Sequence, residues 1–265
     1  MANTSTSKKI STAGKVALVT GATAGLGYDI VKRLAQDGYT VVATATTDNN
    51  CQKILASAQT DGLQGIHALP LNVTIEDSVQ KLIRSLDEQF GRLDVLVNNA
   101  GVALRVNGKK SLVVDTPLAD WQRTLDTNLT GTFLVSKHAI PLMQKHKWGR
   151  IINMSSRAAR TRTILAGSHY AASKAGILGF SRILADEVAA YGITVNCVAP
   201  TRISTPMAQS VSNPAEMDAR FIAETPVGRL GVPQDVSAVV SFLASEEASF
   251  LTGIIVDISG GQFMP

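Results

Sequence analysis

The sequence predicts an α/β protein, a single doubly wound domain whose seven-stranded parallel sheet carries helices on both faces. Three observations lead there. Short β-rich runs alternate with longer amphipathic stretches along the chain. The first run ends in a glycine-rich turn that opens a helix, Thr20-Gly21-Ala22-Thr23-Ala24-Gly25-Leu26-Gly27. No Pro/Ser-rich linker divides the 265 residues, a length that suits one α/β domain.

Strands are expected at 16–20, 40–45, 65–70, 93–97, 150–154, 194–198 and 254–257. Helical patterns fall at 25–37, 50–60, 75–90, 118–145, 169–190 and 233–244. Alternating strands and helices joined by right-handed crossovers give a parallel sheet covered on both sides, the Rossmann arrangement. The domain is expected over 14–265. Residues 1–13 are rich in Ser, Thr and Asn, lack an apolar signal core, and read as a flexible tail.

Apolar residues make up 45% of the chain and charged residues 17%, enough to bury a sizeable core. The net charge of +4 comes without a dense Lys/Arg tract, so a nucleic-acid partner is not expected. No stretch is long enough to cross a bilayer. Cys51 and Cys197 have no metal or redox spacing and read as reduced packing residues of a cytoplasmic protein. His67, His138, His146 and His169 lack ligand spacing, and no metal is expected.

The glycine turn is the first chemical motif. Missing side chains at Gly21, Gly25 and Gly27 let backbone approach a pyrophosphate, and a helix N-terminus favours its charge. No Gly-Lys-Ser/Thr follows, so a triphosphate loop is not indicated. Asn98-Asn99-Ala100-Gly101 follows the fourth strand, where small residues and amides can lie against a dinucleotide. Tyr170 and Lys174, four residues apart, share one helix face. A cation beside a phenol lowers the phenol pKa, so Tyr170 is expected to exchange a proton near neutral pH. Together these motifs point to hydride transfer between a carbonyl or alcohol and a nicotinamide.

With Asn128 and Ser155-Ser156 added, the chain resembles the short-chain dehydrogenases/reductases, nearest their 3-oxoacyl-acyl-carrier-protein reductase-like members. Thr20–Gly27 is similar to the family's TGxxxGxG, 98–101 to its NNAG, and 170–174 to its YxxxK. The resemblance runs from Gly14 to Gly261. It implies a catalytic set of Asn128, Ser156, Tyr170 and Lys174. Tyr170 would protonate the carbonyl oxygen and Ser156 would orient it. Lys174 would lower the phenol pKa and hold the nicotinamide ribose, and Asn128 would hold a relay water. The dinucleotide would touch Gly21, Thr23, Ala24, Gly25, Leu26, Gly27, Thr46, Asn72, Val73, Asn99, Ala100, Gly101, Pro200, Ile203 and Thr205, besides Tyr170 and Lys174. A mobile lid is implied near 204–225, and a homotetramer joined through the helices after the fourth and fifth strands and the last strand.

Family members that use NAD carry an acidic residue at the end of the second strand. Here the slot holds Ala45, followed by Thr46. That favours NADP, with NAD as the alternative. The substrate is expected to be a small carbonyl or alcohol. Cations at Arg157, Arg160, Arg162, Arg105, Lys109 and Lys110 suggest an anionic one, against the plainer reading of a solvated basic surface. Two other functions stay open: an NAD-dependent alcohol, sugar or polyol dehydrogenase, and a non-catalytic dinucleotide sensor.

Overall fold

The computed structural model describes Thr12 and residues 14–265. The tail expected over 1–13 therefore lies outside the described residues, except Thr12. Among the described residues seven strands form one parallel sheet in the order β3-β2-β1-β4-β5-β6-β7. They are β1 (Val16–Val19), β2 (Thr40–Ala45), β3 (Ile66–Pro70), β4 (Val95–Asn98), β5 (Gly149–Met154), β6 (Ile193–Pro200) and β7 (Ile255–Ile258). The helices between them are α1 (Gly25–Gln36), α2 (Asp48–Thr60), α3 (Glu76–Phe90), α4 (Leu118–Leu125), α5 (Gly131–Gln144), α6 (Ser168–Ala189), α7 (Pro206–Gln209), α8 (Pro214–Glu224) and α9 (Pro233–Ala244).

Strand β1 shows why the sheet is covered twice. Successive side chains point to opposite faces. Ala17 and Val19 pack with Ile30, Val31 and Leu34 of α1 and Val236 and Val240 of α9. Val16 and Leu18 join Leu82 and Leu86 of α3, Val135 of α5 and Leu184 of α6 on the other side. Buried on both faces, β1 reads as an unbroken apolar run. The strand order reverses between β1 and β4, which pair in register Ala17↔Val95. That reversal opens a crevice at the carboxyl ends of the strands.

Two stretches differ from the sequence pattern. The continuous helix expected over 118–145 is divided by a π-helical turn, Asp126–Thr130, between α4 and α5. One extra residue in the turn rotates the chain and sends Asn128 fully inward. The segment 204–225 contains two helices, α7 and α8. Each has Pro near its start, a position where the ring's fixed φ and missing N–H are favourable.

Candidate active site

A cleft of about 730 Å³ lies at the carboxyl ends of β1, β4 and β5. The glycine turn between β1 and α1 forms one wall. A Cβ on Gly27 would stand 2.4 Å from the Gly21 carbonyl oxygen and 2.6 Å from Asn99 Nδ2, so only glycine fits. Asn99 Nδ2 donates to the carbonyls of Thr20 and Gly21 at 3.0 and 2.9 Å. Thr20 Oγ1 accepts from the N–H groups of Asn99 and Ala100, both at 3.0 Å. The segment after β4 thus braces the turn after β1. A cradle that any side chain would fill, at the start of the 12-residue helix α1, suits a dinucleotide pyrophosphate. Every residue expected to touch the dinucleotide lines this cleft except Thr23, which is exposed at the turn.

Beneath the floor, a polar chain ties the elements together. Asn98 Nδ2 donates to Ser136 Oγ on α5 at 3.0 Å and to Asn153 Oδ1 on β5 at 2.8 Å. Asn153 Nδ2 donates onward to Ser181 Oγ on α6 at 2.8 Å. Asn98 is therefore a buried tie, while its neighbour Asn99 serves the glycine turn.

Asn128, Gly101 and Lys174 meet at the inner end of the cleft. A Cβ on Gly101 would lie 3.2 Å from Asn128 Oδ1 and 3.5 Å from Lys174 Nζ. Asn128 Oδ1 accepts from the Val102 N–H at 2.8 Å. Its Nδ2 donates to the Val102 carbonyl and to Ser173 Oγ, both at 3.0 Å. With both amide hydrogens engaged, a relay water has only the second lone pair of Oδ1. Lys174 Nζ donates to the Met154 carbonyl at 2.6 Å. Burial lowers the Lys174 pKa to about 8.

The two serines after β5 divide their tasks. Ser155 is buried and donates to the Lys174 carbonyl at 2.9 Å, which fastens α6 to β5. Ser156 caps a short 3-10 turn, its Oγ accepting from the Ala158 N–H at 3.2 Å. Tyr170 is half-buried in the cleft wall. Its pKa lies above the usual phenol value because burial outweighs the opposing effects of the Ser156 hydroxyl and the Arg105 charge. This corrects the expectation that Lys174 lowers it. The ammonium sits 5.8 Å from the Tyr170 ring centroid and is anchored on a backbone carbonyl.

The cations are sorted in a way the sequence does not reveal. Among the described residues lining the cleft are Arg105, Arg123, Arg157, Lys174 and Arg202, and no Asp or Glu. Arg160 pairs with Asp257 at 3.1 Å, and Lys110 Nζ donates to the Thr163 carbonyl at 3.1 Å. Arg162, Lys109 and Lys110 are exposed and, like Arg160, do not line the cleft. Arg123 and Arg202 were not among the expected substrate-facing cations. Arg202 is nearly fully buried and ion-paired to Asp218 at 2.6 Å, a partnership between sequence-distant residues that no motif marks.

Fold and cleft together define an oxidoreductase that works with a nicotinamide dinucleotide, and the comparisons agree. Residues 21–262 match the sequence pattern of the family described as Enoyl-(Acyl carrier protein) reductase. The chain is 38% identical over 251 residues to the 3-oxoacyl-acyl-carrier-protein reductase of Vibrio cholerae serotype O1, covering 95% of this chain and 98% of that protein. The enzyme of the same name from Escherichia coli strain K12 is 39% identical, with the same coverage. A solved 3-oxoacyl-acyl-carrier-protein reductase from Brucella melitensis with bound NAD superposes with a TM-score of 0.88 at 34% identity, over 96% of this chain and 93% of that one. This chain belongs to the short-chain dehydrogenase/reductase family.

Among the described residues no helix is long and apolar enough to cross a membrane. Nor does any group of three or more His, Cys, Asp or Glu there form a candidate metal site.

Proposed function

We propose that this chain reduces a ketone carbonyl with NADPH, using Tyr170 as the proton donor. The observation that carries the proposal is one cleft whose lining brings together Tyr170, Ser156, the buried Lys174 and the glycine cradle. Bound there, the reduced nicotinamide supplies the hydride. Burial holds the Tyr170 proton in place at neutral pH, which suits the reducing direction, where the phenol O–H must donate to the carbonyl oxygen. Ser156 donates to the same oxygen and orients it. Lys174 would hold the ribose hydroxyls, and with its pKa lowered to about 8 it has a proton to return to the phenol oxygen. Asn128 positions the set by tying Val102 to Ser173, the residue before Lys174.

The neutral end of β2 supports NADP over NAD. Ala45 and Thr46 line the cleft with no carboxylate to repel a 2′-phosphate. Relatives named for 3-oxoacyl-acyl-carrier-protein support a 3-oxoacyl compound, or a ketone like it, as substrate. The same reading takes 14–265 as one domain in the cytoplasm and 204–225 as the lid. It places a homotetramer contact on α5 and α6, where Phe133 and Ile183 stand 43% and 64% exposed. Ile177 and Leu178 belong to the buried core instead.

A spectrophotometric panel of ketones with both reduced cofactors tests this. The expected result is turnover of 3-oxo compounds, with kcat/KM about 10-fold or more higher for NADPH than for NADH. Tight dinucleotide binding with no turnover across the panel would instead favour a sensor.

A further inference from the structure

The reductase reading leaves Arg105 without a task. It lies in the stretch between β4 and α4, beside a tight turn at Asn107-Gly108, whose φ angles are 51° and 71°. The pair Val106 and Lys109 closes the turn as an antiparallel bridge. Its tip rests on the segment between α7 and α8, where the Ser212 N–H donates to the Gly108 carbonyl at 3.1 Å. Arg105 Nη1 donates to Ser210 Oγ on that segment at 2.9 Å. The guanidinium is thereby fixed at the seam between the turn and the lid segment, in the cleft wall.

Three of the four other cations of the lining are otherwise engaged. Arg202 has Asp218, and Lys174 has the Met154 carbonyl. Arg157 lies over the Phe221 ring at 5.8 Å, with the Glu224 charge acting on it. Arg123 is exposed at the rim. Arg105 makes no ion pair within 4.0 Å among the described residues. Its Nε is buried and has no hydrogen-bond partner. Arg105 and Tyr170 line the same cleft. A guanidinium is a planar fork matched to a carboxylate, and this one stands in a cleft lined by no Asp or Glu among the described residues.

We propose that Arg105 binds a carboxylate of the substrate, so that the enzyme favours free oxo acids whose carboxylate lies a few bonds from the carbonyl that Tyr170 protonates. The proposal rests on the reductase reading and narrows its substrate from a 3-oxoacyl compound or a like ketone to a free oxo acid.

Three probes separate the sources of negative charge: acetoacetate, its neutral ethyl ester, and acetoacetyl-coenzyme A, whose charges are distant phosphates. The wild type should prefer the acid to the ester in kcat/KM. Arg105→Met should lower that acid-to-ester ratio about 30-fold, as expected for loss of a charge-assisted contact. Arg105→Lys should restore part of it. Calorimetric binding of acetoacetate to the protein loaded with oxidised cofactor should weaken by a similar factor in Arg105→Met. An unchanged ratio, or a loss confined to the coenzyme A thioester, overturns the carboxylate assignment and leaves ketone reduction standing. If the wild type turns over neither the acid nor the esters with either reduced cofactor, the reductase reading falls, and the calorimetric result decides the anion site by itself.

Discussion

The cleft has two halves built on different principles. The half over β1, β2 and β3 is lined by the glycine turn, Ala45, Thr46, Asn72 and their neighbours, without a charged side chain among the described residues. Its shape comes from backbone, braced by Asn99 and Thr20. The half beyond β4 holds all five cations of the lining and is built from loops and the segment 204–225. A backbone cradle with no room for a side chain accepts a cofactor through geometry that few substitutions allow. Side chains carried on loops can be exchanged without disturbing the sheet, which suits the half proposed to meet the substrate.

The largest effect is expected at Lys174, a cation buried in the lining. Burial lowers its pKa from 10.5 to about 8. Below pH 8 both folded and unfolded chains hold the proton, and the fold bears the full burial penalty. Between about 8 and 10.5 the folded chain has released the proton while the unfolded chain keeps it, so wild-type stability rises with pH. Lys174→Met should therefore gain most over wild type near pH 7. That difference should shrink by about 3 kcal/mol as the pH approaches 10.5 in denaturant titrations. A pH-independent difference would mean that the ammonium is not desolvated.

The serine pair gives the next largest effect, with opposite signatures for the two residues. Ser156→Ala should lower kcat about 100-fold while hardly moving the melting temperature. Ser155→Ala should remove about 1 kcal/mol of stability through its lost bond to the Lys174 carbonyl, with a much smaller change in kcat. If the kinetic penalties come out reversed, the division of tasks is wrong. A smaller effect is expected in the neutral half. Thr46→Asp would place a carboxylate at the end of β2 and should cut the NADPH-to-NADH preference about 10-fold. An unchanged preference would remove the basis for choosing NADP.

How much of this was legible in the sequence follows the same division. All seven strands fall within a few residues of their predicted places, because β-rich runs between turns are a local signal, clearest in β1, which is buried on both faces and wholly apolar. The glycine turn and the Tyr170–Lys174 spacing are legible because both are local. The π-turn that sends Asn128 inward is not, since inserting one residue leaves the helical pattern of 118–145 intact. The helices of 204–225 had a signal, Pro following Thr205 and Asn213, within a stretch expected from the sequence only as a lid. Spacing on a helix shows that Lys174 shares a face with Tyr170. It does not show that Met154 captures the ammonium or that burial governs the phenol. Likewise, nothing near Arg160 in sequence announces Asp257, and nothing near Arg105 announces the lack of an acid.

Replacing Tyr170 with Phe, and measuring cofactor binding and ketone reduction on the same sample, tests the proton-donor assignment. NADPH fluorescence titration should show an affinity close to wild type, while the rate of NADPH oxidation with a 3-oxo substrate should fall about 1,000-fold. A variant that binds NADPH normally and reduces the ketone at the wild-type rate would contradict the assignment.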